Sequence, residues 1–328
     1  ASPAAPSSPG VLSVPTDDEV EAAVGSFLDK TVVRSLGTAM QAPEFRIGVV
    51  LVGEALQEAR VSPEDVKGSR TATFWAAPAV AREAHPRTAA LLTFFLASRG
   101  TSEDCDYACA SAPVAMRKAA LALRDEACEP LAIVASLCTT NMGVVEQLRR
   151  VKVLSEGGRC KPFGSDRDGT AASEFGAAVV LTHGRYMKAH ADDWAKPLAY
   201  LVGESQGLVK YSKRGIHNVH DQAAAMERSA MAAGLSHAGS LTAVELCGNG
   251  TVIGDELEYR ALMRVLESGN SSRSLPVLAH SASLGHPGPA AGMLSVVKTV
   301  LSLQHRTIPP NVHDYPLDVT FFTTPAVV

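Results

Sequence analysis

The sequence predicts an α/β fold built from two copies of one unit, and three observations carry that prediction. Short apolar runs, continuous rather than alternating, recur at 71–76, 131–137, 176–181, 198–202, 241–246 and 276–279. This is the pattern of strands buried on both faces. Between them lie runs with helical spacing, at 45–59, 86–97, 110–124, 223–233, 256–266 and 290–304, and strands alternating with helices predict layers of the two. The third observation is a faint internal repeat. Glu54-Ala55-Leu56-Gln57-Glu58-Ala59-Arg60-Val61-Ser62 leads through a polar turn to the run at 71–76. Arg228-Ser229-Ala230-Met231-Ala232-Ala233-Gly234-Leu235-Ser236 leads likewise to the run at 241–246. Ala59 and Ala233 stand 174 residues apart; Cys109 and His286, each just ahead of a long helix, stand 177 apart.

Along the chain, the first ten residues are rich in Pro, Ser and Ala and predict a disordered tail. The expected organisation is a tail over 1–20, a first half over 21–185 and a second over 186–328. The helical run at 110–124 follows a cysteine set among small residues, Asp106-Tyr107-Ala108-Cys109-Ala110-Ser111-Ala112-Pro113. A thiol at a helix start faces the positive end of the macrodipole, which is expected to lower its pKa and make it a nucleophile. The last long helix, 290–304, carries Met293, Val296, Val297, Val300 and Leu301 as an apolar stripe, read as a buried face.

Composition narrows the function classes. The 328 residues are 46% hydrophobic and 20% charged, enough for a sizeable core. Net charge is −4 and no basic stripe appears, which argues against nucleic acid as a partner. No apolar run reaches the roughly 20 residues that span a bilayer. The six cysteines (105, 109, 128, 138, 160 and 247) form no Cys-x-x-Cys pair. Their scatter fits reduced thiols better than a disulfide framework or a zinc ribbon. A reducing intracellular compartment is therefore expected: an organelle matrix or stroma if the N-terminus is processed, otherwise the cytoplasm.

Four segments carry the chemistry. They are the stretch around Cys109; Cys160-Lys161-Pro162-Phe163-Gly164-Ser165-Asp166-Arg167-Asp168-Gly169-Thr170-Ala171-Ala172-Ser173-Glu174; Val244-Glu245-Leu246-Cys247-Gly248-Asn249-Gly250-Thr251-Val252-Ile253-Gly254-Asp255-Glu256; and His280-Ser281-Ala282-Ser283-Leu284-Gly285-His286-Pro287 with Ala290-Ala291-Gly292. In this order and spacing, over about 45–315, the chain resembles the β-ketoacyl synthases, condensing enzymes of fatty acid and polyketide assembly. The resemblance implies the thiolase-like fold, a duplicated α-β-α-β-α layered core, expected here to be shortened at both ends. It also implies a cysteine that takes an acyl group from acyl carrier protein or coenzyme A. Two histidines then assist decarboxylation of a malonyl thioester and stabilise oxyanions. A thiolate suits acyl transfer, and donors must be fixed where negative charge develops.

Carried over by position, Cys109 matches the nucleophile and His286 the second histidine. Asp168, Gly169 and Glu174 match the family's Arg-Asp-Gly…Glu segment, with Asp168 and Glu174 as structural acids. Gly248, Gly250 and Gly285 stand in the turns expected to bring backbone N–H groups to the thioester. Two positions depart from the family. Cys247 stands where the first histidine belongs, and a thiol is a weak donor. Ser281 stands where the family has a lysine, which would leave Glu174 without its usual partner. No cofactor is called for: the spacing Gly248-x-Gly250-x-x-x-Gly254 is not a dinucleotide fingerprint. His217-Asn218-Val219-His220 reads as a polar loop entering a helix rather than a metal pair. Asp166 and Asp168 read as loop-capping carboxylates.

The expectation is a condensing-enzyme homologue degenerate for decarboxylative condensation, acting as a partner subunit in a homodimer, a heterodimer or a larger complex. The alternative is an active acyl-thioester enzyme using Cys109 with His286. A third reading is a module that only binds acyl carrier protein or an acyl chain.

Overall fold

The computed structural model describes residues 13–24, 39–40, 42–78, 87–124, 130–140, 142–207, 218–236, 240–268, 275–312, 314–321 and 326–327. The N-terminal decapeptide, Cys128 and His217 lie outside the described residues. The chain divides into two compact units, residues 1–140 with 174–196, and residues 141–173 with 197–328.

The first unit is organised by a four-stranded sheet of β1 (Ala72–Ala76), β2 (Ser102–Cys105), β3 (Leu131–Cys138) and β4 (Phe175–Thr182), in the order β2-β1-β3-β4. β1 runs parallel to β2 and β3, while β4 runs antiparallel to β3. Every residue of β1 and β3 is buried, as the continuous apolar runs predicted. Helix α1 (Asp17–Val24) begins within the stretch expected as tail; the carboxylate of Glu19 accepts the N–H and hydroxyl of Thr16. Helix α2 (Pro43–Glu58) starts with proline in its first turn, where a missing N–H costs nothing. Its Phe45, Val49, Val52 and Leu56 cluster with Trp75, Ile133, Ala135 and Leu137. Phe74, Ala132 and Val134 are equally buried but lie outside that cluster. Side chains alternate along a strand, so these face the other side, where α5 (Ser111–Arg124) packs on β1 and β3. Between α2 and β1 comes a short helix, α3 (Pro63–Val66), held by a capping box between Ser62 and Asp65. α4 (Thr88–Phe95) packs against β1 and β2.

The second unit contains α6 (Met142–Arg150), α8 (Val219–Ala232), α9 (Val252–Ser268), the one-turn α10 (Ser281–Leu284) and α11 (Ala291–His305), while α7 (Gly184–Ala189) belongs to the first. Its sheet joins β5 (Val244–Glu245), β6 (Leu275–Leu278) and β7 (Ala326–Val327) in parallel. Phe163, Leu246, Tyr259, Leu262, Leu266, Val277 and Phe321 form the core beside it.

The internal repeat has a structural counterpart. At the end of α2, Ala59 N–H donates to Ala55 O, Arg60 N–H to Gln57 O and Val61 N–H to Leu56 O, and Arg60 has φ +54°. At the end of α8, Ala233 donates to Ser229, Gly234 to Met231 and Leu235 to Ala230, and Gly234 has φ +73°. The two ends are one left-handed C-cap motif, a common helix ending that also closes α4 at Ala97 (φ +50°) and α6 at Lys152 (φ +55°).

Two sequence expectations need correction. Residues 198–202 form no strand: no hydrogen bond reaches their backbone among the described residues, and the sheet of their unit is β5-β6-β7. Of the stripe on α11 only Met293 is fully buried; Val296, Val297 and Val300 are half-buried, and Leu301 is 48% exposed.

Candidate functional site

Cys109 and Glu174 belong to the first unit. Asp168, Cys247, Gly248, Gly250, Gly285 and His286 belong to the second.

Cys109 sits on a tight connection between β2 and α5. Ala108, just before it, has φ +49°, a left-handed backbone that costs an L-residue about 1–2 kcal/mol. Buried Ser111 secures the turn from both sides: its hydroxyl accepts Tyr107 N–H at 2.8 Å and donates to Ala108 O at 2.6 Å. Lys118 pairs with Glu103 below, and its ammonium lies 5.8 Å from the Tyr107 ring centroid. The residue Cys109 is exposed, yet the protein around its sulfur desolvates the thiol and pushes its pKa up. A hydrogen bond to the residue's own backbone only partly opposes this. The expected lowering by the helix dipole is therefore outweighed; regular helix starts two residues later, at Ser111. Cys138, at the end of β3, is pushed up to about 11 by burial, then by the charges of Glu174 and Cys109. Glu174 accepts Thr140 N–H at 2.6 Å, a backbone bond that fixes the entry to β4.

In the second unit three of the four segments meet. His286 N–H donates to Ala171 O at 2.8 Å, Gly169 N–H to Gly250 O at 3.0 Å, and the Ser281 hydroxyl to Gly248 O. Asp168 caps its loop, accepting the Ser155 hydroxyl at 2.8 Å and Glu156 N–H at 3.0 Å; Lys161 lies 3.5 Å away. Burial opposes the Asp168 charge, but these bonds outweigh it and hold the carboxyl low. Gly285, before His286, has φ +73°, and a Cβ there would meet Ser173 Cβ at 2.9 Å and Ala171 O at 3.1 Å. Both conformation and close approach require glycine. Ala108 and Gly285 stand 177 residues apart, so Cys109 and His286 each follow a left-handed residue.

The turn N–H groups are already engaged. Cys247 and Gly248 N–H donate to the two oxygens of Glu258 at 2.8 and 2.9 Å, Gly250 N–H to Asp255 at 3.1 Å, and Gly285 N–H to Ser281 O at 3.0 Å. Asp255, wholly buried, also accepts Phe163 N–H at 2.9 Å; burial pushes its carboxyl up to about 7. Glu258 is likewise raised by desolvation, against the two N–H bonds. His286 is 7% exposed; desolvation, then the nearby His280, push it down to about 4, so its ring is neutral at neutral pH.

A buried charged cluster escaped the sequence reading. Glu245 on β5 lies 2.8 Å from Lys298 Nζ of α11 and 3.3 Å from His280 Nδ1, and it also accepts His280 N–H at 2.7 Å. Ser295 Oγ lies 3.2 Å from the same imidazole nitrogen. Burial works against the Glu245 charge, but His280 and Lys298 hold the carboxyl below its usual range. The signal was present: an acid two residues before Cys247, a histidine next to Ser281, and a lysine breaking the apolar stripe of α11.

Among the described residues no helix is long and apolar enough to cross a membrane. The β-ketoacyl synthase N-terminal domain matches residues 35–185 and the β-ketoacyl synthase C-terminal domain residues 209–314. A phenolphthiocerol/phthiocerol polyketide synthase polypeptide of Mycobacterium tuberculosis is 35% identical over 232 residues, 68% of this chain and 12% of that protein. Spectinabilin polyketide synthase system protein NorC of Streptomyces orinoci is 27% identical over 294 residues, 83% of this chain and 13% of that protein. In fold, the chain is similar to the ketosynthase from module 6 of the bacillaene synthase of Bacillus subtilis 168. The TM-score is 0.80 at 21% identity, covering 89% of this chain and 53% of that one. The chain thus spans a small part of these curated relatives and about half of the solved ketosynthase. With the ordered segments, the thiolase-like α/β fold and both domain matches in agreement, the chain belongs to the β-ketoacyl synthase family.

Proposed function

We propose that this chain is a ketosynthase-family protein degenerate for decarboxylative condensation, acting as a partner subunit beside acyl carrier protein or acyl-CoA chemistry. One observation carries the reading: the turn N–H groups of Cys247, Gly248, Gly250 and Gly285 all donate inside the fold. Donors already committed to Glu258, Asp255 and Ser281 are not available to a developing oxyanion. Position 247 offers a thiol where an imidazole would be needed, a loss on the order of two to four powers of ten in rate. The test is release of carbon dioxide from malonyl thioester. None above background is expected, and turnover would overturn the reading. Purification from the native source is expected to bring down stoichiometric partners.

The exposure of Cys109 on a strained turn favours a second reading, acyl exchange without condensation. Incubation with acyl thioesters would then leave a mass adduct that disappears in Cys109→Ala. The absence of any adduct across chain lengths would eliminate it.

A further inference from the structure

Cys247 and His280 are neighbours across the sheet of the second unit. Glu245 of β5 pairs with Leu278 of β6, and Leu246 N–H donates to Leu278 O at 2.8 Å; the same parallel register, carried two residues on, sets Cys247 beside His280. The turn after Cys247 closes over the same place. A Cβ on Gly248 would come 2.7 Å from Ala279 Cβ, and the Ser281 hydroxyl donates to Gly248 O. Leu246, Val277 and Ala279 join the core beside the sheet. Side chains alternate along strands, so Glu245, Cys247 and His280 share the opposite face. Lys298 and Ser295 of α11, in contact with Glu245 and His280, mark that face.

His280 is held like a general base. Its side chain is wholly buried, with Nδ1 3.3 Å from Glu245 Oε1 and 3.2 Å from Ser295 Oγ. Its Nε2 is buried without a hydrogen-bond partner among the described residues. A carboxylate on Nδ1 fixes the ring and leaves Nε2 to take a proton, and a buried polar atom with no partner calls for one. The two ring nitrogens point away from each other. With Nδ1 turned back to Glu245, Nε2 faces the strand ends, where the Cys247 turn lies. Thiol, imidazole and carboxylate in this order are the parts of an activated sulfur nucleophile. Cys247 itself is half-buried and within reach of solvent. The N–H groups of Cys247 and Gly248 are bound to Glu258, so an oxyanion would find no donor there. Exchange at sulfur puts no charge on oxygen and needs none.

We propose that Cys247 is a thiol–disulfide exchange site for small aliphatic disulfides, with His280 as its base and Glu245 as the residue that orients the base. The thiol gives its proton to His280 Nε2. A bond forms between Cys247 Sγ and one sulfur of the disulfide, the incoming S–S bond breaks, and the leaving sulfur takes the proton. Cys247 is thereby oxidised to a mixed disulfide, and half of the incoming molecule is reduced to a thiol. This goes beyond the family reading and involves no acyl step, so its failure is distinct from turnover of a malonyl thioester.

Hydroxyethyl disulfide, small and uncharged, is the probe. The native chain is incubated with it at pH 6 and pH 8, and peptide mapping without reductant follows the mixed disulfide at Cys247. An ordinary thiol, with a pKa near 8.5, loses about eightyfold in thiolate from pH 8 to pH 6. Beside the imidazole, Cys247 should slow by less than about tenfold. His280→Asn keeps an amide for Glu245 at the Nδ1 position and removes Nε2. It should restore the fall of about eightyfold, with circular dichroism to check the fold. A Cys247 that stays unmodified in the folded native chain overturns the proposal. So does a native profile as steep as that of an ordinary thiol, a result that needs no variant to fold. A folded His280→Asn chain that keeps the shallow profile overturns it as well.

Discussion

His286→Gln should shift the protein's response to acid toward stabilisation. In the folded chain His286 titrates at about 4, against 6.5 for an ordinary histidine. Below pH 6.5 the unfolded chain takes up a proton that the folded chain refuses, so stability falls with pH until about 4. At 1.36 kcal/mol per pKa unit, the loss between pH 7 and pH 4.5 is about 2.5 kcal/mol. Asp255 opposes it in the same window. Its carboxyl titrates at about 7 instead of 3.8, so the folded state holds a proton the unfolded state lacks, and acidification from pH 7 to 4.5 adds about 3 kcal/mol. The two nearly cancel in the native chain. Removing the histidine leaves the Asp255 gain unopposed. Urea unfolding of both proteins at pH 7 and pH 4.5 measures this as a difference of differences, in which every other carboxylate drops out. The variant should gain about 2.5 kcal/mol relative to the native chain on acidification. Equal pH responses would refute a buried, neutral His286.

Four further outcomes follow from the same geometry. Gly285→Ala should destabilise by about 2–3 kcal/mol in urea, from the left-handed backbone and the contact with Ser173. Ala108→Gly should gain up to about 1 kcal/mol, because it relieves φ +49°. Ser111→Ala should cost about 1–3 kcal/mol by leaving Tyr107 N–H unpaired, and should speed alkylation of Cys109 as the turn loosens. Glu245→Gln should cost about 3–5 kcal/mol, since Lys298 and His280 lose their shared carboxylate, and thermal unfolding would show it directly.

Much of the fold was legible because it rests on local pattern. β1, β3, β4, β5 and β6 were readable as apolar runs, and α2, α4, α5, α8, α9 and α11 as periodic ones. β2 was not, because Ser102-Glu103-Asp104-Cys105 is a polar edge strand whose pairing with β1, not its composition, makes it a strand. The run at 198–202 failed for the converse reason: its composition is that of a strand, but the ladder depends on a neighbour. At the site, residue identities were legible and their states were not. No spacing says that desolvation outweighs a helix dipole at Cys109, or that Glu258 and Asp255 take the N–H groups of the glycine turn. The first depends on what folds over the thiol from elsewhere in the chain; the second is set by the first turns of α9, directly after the glycine turn, where only the folded geometry aims the two carboxylates back.

The helix caps show how the framework can hold its conformation while the side chains it presents change. The C-cap after α2 and that after α8 repeat the same bonds, one with Arg60 in the left-handed position and the other with Gly234. The turns before Cys109 and His286 likewise share a left-handed residue, Ala108 in one and Gly285 in the other. In the first pair one end uses glycine and the other accepts the strain, so that conformation is held by packing around it rather than by the residue. Such a framework tolerates exchange of the side chains it presents. At positions 247 and 281 the hydrogen bonds that hold the turn leave the side chain at 247 out of it, because Glu258 binds the backbone at 247 and 248 and Ser281 binds the carbonyl of Gly248. If that is so, Cys247→His should fold with unchanged stability, since Glu258 holds the backbone and not the thiol. A loss beyond about 1 kcal/mol in urea would show that the side chain itself had become part of the packing.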